Sequence, residues 1–465
     1  MLSTITNVFK VPELRNKILF TLSMLVVFRI GHWIPMPGVN QEQLAELTRQ
    51  SQESGNAFAK LASFVSMFSG GTLQHSTIFG LGIMPYITAG IIFQLLATAL
   101  PALKKLQEEG PSGRVKIMEY TRYVTVGLCL VQGFGWLAYL GQANLIYPQY
   151  MNNPLWWVMG IAVLTAGCVF LMWIGEQIDK HGIGNGASMI IMAGILSSMP
   201  GAINTVYNSF EPGEQGRLGW MGLLSLVAMF VAVVAGAVLM TIAQRRIPIQ
   251  QAKHTRGRKV YGGQKSYLPL RINHGGVMPI IFASSLMIFP SVIFAQLKQM
   301  TVIPGNDISW VGTLSLFLDR NFGYGAFLYM MLYMVMIYFF SYFWITIQFN
   351  PEEMSKQLKE HGSFIPGLRP GPRTAEYLET VVSRITFVGA AFLCVVAILP
   401  TIVNIAFGVD PIVTQFLGGT GLLITVSVTM DFLQRVEANL LMRNYQGFLG
   451  GEDGSDGPRL RGPRG

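Results

Sequence analysis

Apolar runs of about twenty residues recur along most of this chain, and each is long enough to cross the roughly 30 Å hydrocarbon core of a bilayer as a helix. Of its 465 residues, 51% are hydrophobic and only 12% are charged, and the mean hydropathy is +0.44. The pattern predicts an all-α polytopic membrane protein rather than a set of soluble domains. The ten predicted spans lie at about 18–34, 77–100, 119–141, 155–175, 185–207, 219–243, 275–297, 324–348, 384–407 and 411–432.

The positions of Lys and Arg predict the orientation of the spans, because cytoplasmic loops of membrane proteins are enriched in basic residues. If the N-terminus lies in the cytoplasm, the cytoplasmic segments hold 27 of the 33 basic residues. We therefore expect both termini to face the cytoplasm. The cytoplasmic segments are then 1–17, 101–122, 176–184, 244–274, 349–384 and 433–465. The basic residues of the opposite face are Arg49, Lys60, Arg217, Lys298 and Arg320.

The two ends of the chain carry further signals. Segment 1–17 has no apolar core followed by a small-residue cleavage site. We therefore expect neither a removable signal peptide nor a transit peptide, and we expect the first span to be retained. The residues after Leu449 are rich in Gly and Pro and almost lack apolar side chains, so we expect a disordered tail from about residue 450.

The stretch from Phe64 to Pro101 is apolar but interrupted twice. Irregular backbone at membrane depth needs protein or water around it, so the interruptions favour a segment that lines an internal cavity. We predict a short half-inserted helix at about 64–73, a break, and a second helix from about 77 to 100, with Ile83 and Ile87 on one face. An ordinary Gly-rich span packed against its neighbours is the alternative. The interrupting residues are Gly70, Gly71, Gln74, His75, Gly80, Gly82 and Pro85.

The segment 244–273 carries many basic residues and no acidic one. Its interleaved apolar residues and its turn signals at Gly262, Gly263 and Pro269 predict an ordered projection such as a hairpin. Topology alone would need far fewer charges, so we expect an acidic docking partner, either RNA or an acidic protein. The basic residues are Arg245, Arg246, Lys253, Arg256, Arg258, Lys259, Lys265 and Arg271.

The segment 350–383 is different, because its basic residues are nearly balanced by glutamates. At its centre lies the sequence FIPGLRPGPR (Phe364–Arg373), in which three prolines and two glycines predict a tight turn that presents Arg369. A solvated loop is the alternative. The stiff turn around this Arg favours contact with a partner.

Several kinds of chemistry are not indicated by the sequence. The six histidines are scattered without metal-ligand spacing, and the Gly-rich motif HGIGNGAS (181–188) follows no strand, so turn and helix-packing roles are favoured over phosphate binding. Glu176 and Asp431 fall at cytoplasmic ends of spans, whereas an ion-coupled carrier keeps ionisable groups near the midplane. We therefore expect no cofactor and no catalytic or metal site. Cysteines Cys129, Cys168 and Cys394 lie inside apolar spans, which argues against a disulfide framework.

The second half of the chain echoes the first. Gly276, Pro279, Ser284 and Ser285 stand at the mouth of the span 275–297, as glycines and a proline do in the second span. Breaks at related places in two five-span halves, 18–207 and 219–432, suggest an inverted repeat with the functional site between the halves.

Five long segments of the chain resemble the SecY family, the central channel subunits of the bacterial Sec protein translocase. They follow in the family's order and cover much of the chain. The segments are FGLGIMPYITAGIIFQLL (Phe79–Leu96), FLMWIGEQIDKHGIGNGASMIIMAGI (Phe170–Ile195), the loop and span 244–289, GSFIPGLRPG (Gly362–Gly371) and GGTGLLITVSVTMDFLQRVEANLLMRNYQGFL (Gly418–Leu449).

The resemblance implies ten transmembrane helices in two inverted five-helix halves around an hourglass pore, constricted by a ring of apolar side chains. Ala187 and Met278 depart from the isoleucine that is usual in the family, which suggests a looser ring partly refilled by the flexible Met278. By motif position the ring maps to Ile83, Ile87, Ala187, Ile191, Met278 and Ile424.

The resemblance also assigns three further sets of residues. The plug that blocks the outer funnel would include Phe64, Met67, Phe68, Ser69, Gly70 and Gly71. The polar residues of the lateral gate, between the second and seventh spans, would be Thr88, Gln94, Ser284 and Ser285, unless they make ordinary hydrogen bonds between helices. The residues that dock partners would be Arg256, Arg258, Lys259, Arg369 and Arg373.

The activity implied by the resemblance is not enzymatic. A SecY protein conducts unfolded secretory polypeptides across the bacterial cytoplasmic membrane and releases transmembrane segments sideways into lipid. The expected partners are the small membrane subunits SecE and SecG, the SecA motor ATPase, the ribosome including its rRNA, signal sequences, nascent polypeptides and the lipid bilayer. The alternative functions are a secondary transporter for a small solute and, third, an intramembrane enzyme.

Overall fold

The structure, a computed structural model, describes residues 11–44, 46, 76–151, 153–210, 219–251, 254–256, 259–261, 265–273, 275–284, 286–287, 310–322, 326–407, 413–414 and 419–449. Most of these residues are helical. Within these ranges, six helices are long and apolar enough to cross a membrane, or seven if one bent pair is counted as a single span. The predicted class, a helical polytopic membrane protein, is confirmed, and the count of ten spans stays a prediction.

Most of the helices begin where the sequence offers a first-turn proline or a capping residue. The helices are α1 (Pro12–Gly31), α2 (Met84–Ala99), α3 (Pro101–Glu108), α4 (Pro111–Gln142), α5 (Pro148–Met151), α6 (Pro154–His181), α7 (Gly186–Ser209), α8 (Trp220–Ile242), α9 (278–284), α10 (Trp310–Phe322), α11 (Phe327–Gln348), α12 (Pro351–Glu360), α13 (Pro372–Phe407) and α14 (Thr420–Leu449). Proline suits the first turn because its missing N–H would have no partner there. Asn153, Asn185 and Asn350 cap α6, α7 and α12 by accepting a backbone N–H of the first turn.

The second predicted helix is shorter than expected. Residues 76–83 form turns, and α2 begins at Met84 rather than at about residue 77. Gly82 has φ +60°, a left-handed conformation that interrupts a helix, and Pro85 suits the first turn that follows. The predicted half-inserted helix at about 64–73 lies outside the described residues.

Several helices extend beyond the predicted spans. The span predicted to begin at 384 lies within α13, which begins at Pro372, and the predicted tail from residue 433 continues α14 to Leu449. Short helices also occur in predicted loops, namely α3, α5, α10 and α12. Hydropathy marks only the part of a helix that lies in the membrane, whereas helical backbone hydrogen bonds continue into water.

The helices form two groups that meet along α7 and α14. In the first group α6 packs against α1, α4 and α7, and α4 also packs against α2. In the second group α13 packs against α8, α11 and α14. Between the groups α7 packs against α14, where the Thr429 hydroxyl donates to Met192 Sδ at 3.5 Å.

The predicted hairpin in segment 244–273 is confirmed. Strand β1 (Gln244–Gln251) pairs antiparallel with β4 (Lys265–Arg271), with Ile247 opposite Leu268. At the far end of the hairpin, β2 (His254–Arg256) pairs with β3 (Lys259–Tyr261). Strand β5 (Ser363–Phe364) adds to the other edge of β1, so the order is β4-β1-β5. The two cytoplasmic loops predicted as separate features therefore share one sheet.

Candidate functional site

The six predicted ring residues lie in one apolar cluster that joins both groups of helices. Ile83, Ile191 and Ile424 are among its buried members. Ile87, Ala187 and Met278 are half-buried and pack against it. The cluster contains many other residues. The six residues therefore share one core, and their role as a ring stays a prediction.

The ends of α2 and α7 fix four of these side chains. Ile83 precedes α2, and its carbonyl accepts the Ile87 N–H at 3.2 Å, so the two side chains lie one turn apart. Ala187 and Ile191 have the same spacing at the start of α7. A Cβ at Gly186 would overlap the carbonyl oxygen of Gly175, so the start of α7 lies against α6 as closely as glycine allows.

The Gly-rich motif 181–188 is a structural turn, as its context in the sequence predicts. The Gly186 N–H donates to Asp179 Oδ1 at 2.8 Å. The Ile183 N–H donates to the hydroxyl of Thr21 at 3.2 Å, which ties the turn to α1. These bonds hold the N-terminus of α7, and with it Ala187, against α1 and α6.

The polar residues predicted for the lateral gate make local hydrogen bonds where the structure describes them. The Thr88 hydroxyl donates to the Met84 carbonyl at 2.9 Å, and the buried Ser284 hydroxyl donates to the Ile281 carbonyl at 2.9 Å. Gln94 is exposed, and Ser285 lies outside the described residues. The donors of Thr88 and Ser284 are therefore used within their own helices rather than between helices.

All six predicted plug residues lie outside the described ranges, but the chain that follows the plug segment is firmly held. The carbonyl of buried Ser76 accepts the Met36 N–H at 2.9 Å, and its hydroxyl accepts from Trp136 Nε1 at 3.3 Å. Ser76 has φ +45°, an uncommon value for a residue other than glycine. The sequence did not predict that Ser76 fixes the chain here, because both of its partners are far away in the sequence and no short motif indicates the two bonds.

Arg369 is exposed at the turn between β5 and α13, as predicted, and Arg373 is exposed in the first turn of α13. The turn rests on Ile365, which is buried in an apolar cluster with residues of the β1–β4 hairpin, α11 and α13, and Leu368 packs against the same cluster. Gly367 has φ +87°, which reverses the chain just before Arg369. Apolar contacts beneath the turn therefore fix the base from which Arg369 projects.

Two of the other predicted docking residues, Arg256 and Lys259, lie at the far end of the hairpin. Arg256 and Lys259 are register partners in β2 and β3, and Arg258 lies outside the described residues. Nearer the membrane helices, four further basic side chains of the sheet are exposed. They are Arg245, Arg246, Lys265 and Arg271. Because β5 pairs with β1, this basic hairpin and the Arg369 turn form one continuous unit, which the topology prediction puts in the cytoplasm.

An ion pair that the sequence analysis missed lies between α4 and α6. Arg122 Nε and Nη2 donate to Glu176 Oε1 and Oε2 at 2.7 and 2.6 Å. Both residues lie at ends of spans that are predicted to be cytoplasmic, which is consistent with a contact between them. They are 54 residues apart, so no short motif in the sequence indicates that they pair. In the parts of the chain that the structure describes, no group of three or more His, Cys, Asp or Glu residues could hold a metal ion.

Comparison with protein families gives one match that covers most of the chain. Residues 77–433 match the family model described as SecY. A protein translocase subunit SecY from Thermotoga maritima is 39% identical over 445 residues, covering 95% of this chain and 96% of the relative. A protein translocase subunit SecY from Halalkalibacterium halodurans is 42% identical over 457 residues, covering 97% and 100%.

Solved channels have the same fold. A protein-conducting channel superposes with a TM-score of 0.57 at 18% identity, covering 92% of this chain and 93% of that chain. A SecY protein studied for the role of its plug domain in sealing the closed channel gives 0.59 at 19% identity, covering 92% of each chain. Sec61 from the canine ribosome-channel complex gives 0.54 at 16% identity, covering 92% and 93%.

Proposed function

This chain belongs to the SecY family and is a multi-pass, protein-conducting channel of a bacterial membrane, and we propose that its six ring residues form the seal of that channel. The observation that carries the proposal is their gathering, among the described residues, into a large apolar cluster that spans both groups of helices. An apolar constriction resists wetting, so it can hinder ions while a polypeptide of any sequence passes.

Lateral release follows from the same physics. Transfer of about twenty apolar residues from an aqueous pore into lipid is favourable, so an apolar signal sequence or transmembrane segment leaves sideways without an energy source. We place the exit between α2 and α9, with Thr88, Gln94, Ser284 and Ser285 beside it, and the plug residues 64–71 on the outer side of the ring. The protein needs no hydrolytic chemistry of its own, because a docked motor or ribosome supplies the energy.

The cytoplasmic unit formed by the hairpin and the Arg369 turn is the proposed docking surface. Its hairpin is strongly basic, which suits the phosphates of rRNA and acidic protein surfaces. Arg256, Arg258, Lys259, Arg369 and Arg373 would contact the ribosome or a SecA-like motor. The small subunits SecE and SecG would pack against membrane helices. This arrangement requires both termini to face the cytoplasm, as the distribution of basic residues favours.

Site-specific crosslinking tests the channel proposal directly. A photoreactive residue at Ile83 or Ile191 should crosslink to a secretory chain stalled during translocation, because both side chains would contact the chain in the pore. The same group at Leu224 of α8, which is 69% exposed on the outside of the described helices, is the matched control and should react with lipid or other membrane neighbours instead. Equal crosslinking of the stalled chain at all three positions would contradict the proposed path.

A secondary transporter for a small solute is the other candidate, and the sequence does not favour it. Such carriers usually keep charged groups at mid-membrane, whereas Glu176 and Asp431 fall at ends of predicted spans. Flux of a small solute through the purified protein, in the absence of any polypeptide substrate, would reverse this preference.

A further inference from the structure

Two buried hydroxyl groups lie directly behind the exposed Arg369. The Thr374 hydroxyl donates to the backbone carbonyl of Arg369 itself at 2.9 Å. The Ser355 hydroxyl donates to the carbonyl of Gly371, two residues further on, at 2.7 Å. Thr374 is 2% exposed and Ser355 is 3% exposed, so both donor residues are shielded from water. Two different helices thus hold the turn that carries Arg369.

The setting of Ser355 explains why this bond matters. Ser355 lies on the inner side of α12, between Met354 and Leu358, which pack against the apolar cluster beneath the turn. A hydroxyl in apolar surroundings costs free energy unless it is hydrogen-bonded. The Ser355 hydroxyl is hydrogen-bonded to the carbonyl of Gly371. Through this bond α12 holds the turn, which follows 16 residues later in the sequence.

The backbone conformation of the turn explains why the two side-chain hydrogen bonds are important for its position. Gly371 has φ +135°, a conformation open mainly to glycine, and its carbonyl also accepts the Thr374 and Ala375 N–H groups at 3.0 and 3.2 Å. Residues 365–371 are in no strand, so no ladder of sheet hydrogen bonds fixes them. The carbonyls of Arg369 and Gly371 are therefore the points at which side chains hold the turn.

We propose that Ser355 and Thr374 are positioning residues, whose hydroxyl groups set the direction in which Arg369 projects towards the cytoplasmic partner that drives translocation. The inference rests on the proposed docking function of Arg369. Neither side chain needs to touch the partner. Loss of a hydroxyl would leave Ile365 and Leu368 packed on the cluster, but it would remove one of the two side-chain hydrogen bonds that hold the backbone carrying the guanidinium.

The most direct test compares two substitutions of Thr374. Thr374→Val keeps the shape and removes the hydroxyl, whereas Thr374→Ser keeps the hydroxyl and removes the methyl group. Reconstituted into vesicles with a SecA-type motor, Thr374→Val should translocate a secretory substrate about fivefold more slowly, as expected for the loss of one hydrogen bond. Thr374→Ser should restore most of the rate. Ser355→Ala should resemble Thr374→Val, and it decides the test if Thr374→Val does not fold.

A double substitution separates positioning from general destabilisation. If Thr374 acts through Arg369, adding Thr374→Val to Arg369→Glu should not slow translocation further, because the residue being positioned is already lost. If Thr374→Val and Thr374→Ser are equally slow, or if Thr374→Val slows the Arg369→Glu protein further, Thr374 has a packing role and the inference is wrong.

The same variants distinguish failure of the docking proposal for Arg369 from failure of the positioning inference for Ser355 and Thr374. If Arg369→Glu translocates at the parent rate, Arg369 has no docking role and the inference falls with it. If Arg369→Glu is inactive while Thr374→Val and Ser355→Ala both match the parent, the docking role stands and the positioning inference alone is overturned.

Discussion

Arg122 and Glu176 face each other across α4 and α6, and two hydrogen bonds of 2.7 and 2.6 Å join their side chains in a fork-to-fork pair. Such bidentate pairs are stronger than single contacts because both oxygens are satisfied in a fixed geometry. The Glu176 side chain is only 10% exposed, whereas that of Arg122 is 40% exposed. The pair therefore links two membrane helices near the ends that are predicted to be cytoplasmic.

Removal of Arg122 should destabilise the protein measurably. In Arg122→Ala the nearly buried carboxylate of Glu176 loses its partner, and we expect a cost of about 1–2 kcal/mol, kept modest because water reaches the Arg side. Thermal unfolding of the purified protein in detergent measures this. The control is Arg435→Ala, since the half-exposed pair of Arg435 and Asp431 should contribute less than about 0.5 kcal/mol. Equal losses in the two variants would contradict the distinction.

Gly186 should not tolerate a methyl group. A Cβ at this position would overlap the Gly175 carbonyl, so Gly186→Ala must push α7 away from α6, at a cost of about 1–3 kcal/mol. Gly127→Ala in α4 is the control, because its Cβ would meet nothing within 4 Å and alanine favours the helix. Unfolding temperatures that fall together in both variants would mean that close packing at the start of α7 is not the cause.

The ring should fail as a seal when it becomes polar. Ile83→Asn combined with Ile191→Asn introduces two amide groups that hydrate the proposed constriction, so the resting ion conductance should rise and selection of signal sequences should relax. Planar-bilayer recordings measure the conductance. The control is Ile83→Leu with Ile191→Leu, which stays apolar and should remain tight. If the folded Asn variant stays as impermeable to ions as its parent, these residues do not form the seal.

Arg369 should be needed for translocation and not for folding. Arg369→Glu should abolish most motor-driven transport while changing the free energy of unfolding by less than about 0.5 kcal/mol, because the side chain is exposed. Lys356→Glu makes the same charge change on the exposed side of α12 and should transport normally. Transport by Arg369→Glu at the rate of Lys356→Glu would remove Arg369 from the docking surface.

The predicted orientation can be tested by labelling. Single cysteines at Gln250, in β1, and at Gln215, between the fifth and sixth predicted spans, should react with a membrane-impermeant reagent from opposite sides of the membrane. For this test the native cysteines are replaced. Only Gln215→Cys should label in intact cells stripped of their outer layers, and Gln250→Cys should label only after the membrane is opened. Reaction of both from outside would contradict the topology.

The described structure also shows which parts of the site the sequence could and could not predict. The hairpin was predictable because turn residues at Gly262 and Gly263 separate two segments of strand-like composition, whereas Pro269, expected at a turn, lies inside β4 opposite Arg246. The start of α2 was predicted seven residues too early, since hydropathy continues through 77–83 while the backbone, with Gly82 at φ +60°, does not. Apolar periodicity locates a segment in the membrane without locating its first helical turn.

The sequence by itself determined that this is a helical membrane protein of the SecY family, which segments are basic, and which turn presents Arg369. Those properties follow from residues that are close together in the chain, through hydropathy, charge and turn chemistry. Only the tertiary structure decided that β5 completes the sheet of the hairpin, and that Ser355 and Thr374 hold the Arg369 turn. The β1–β5 pairing and the Ser355 bond join segments from different elements, and the Thr374 bond depends on how the turn folds back onto the start of α13, so hydropathy, charge and turn composition do not record them.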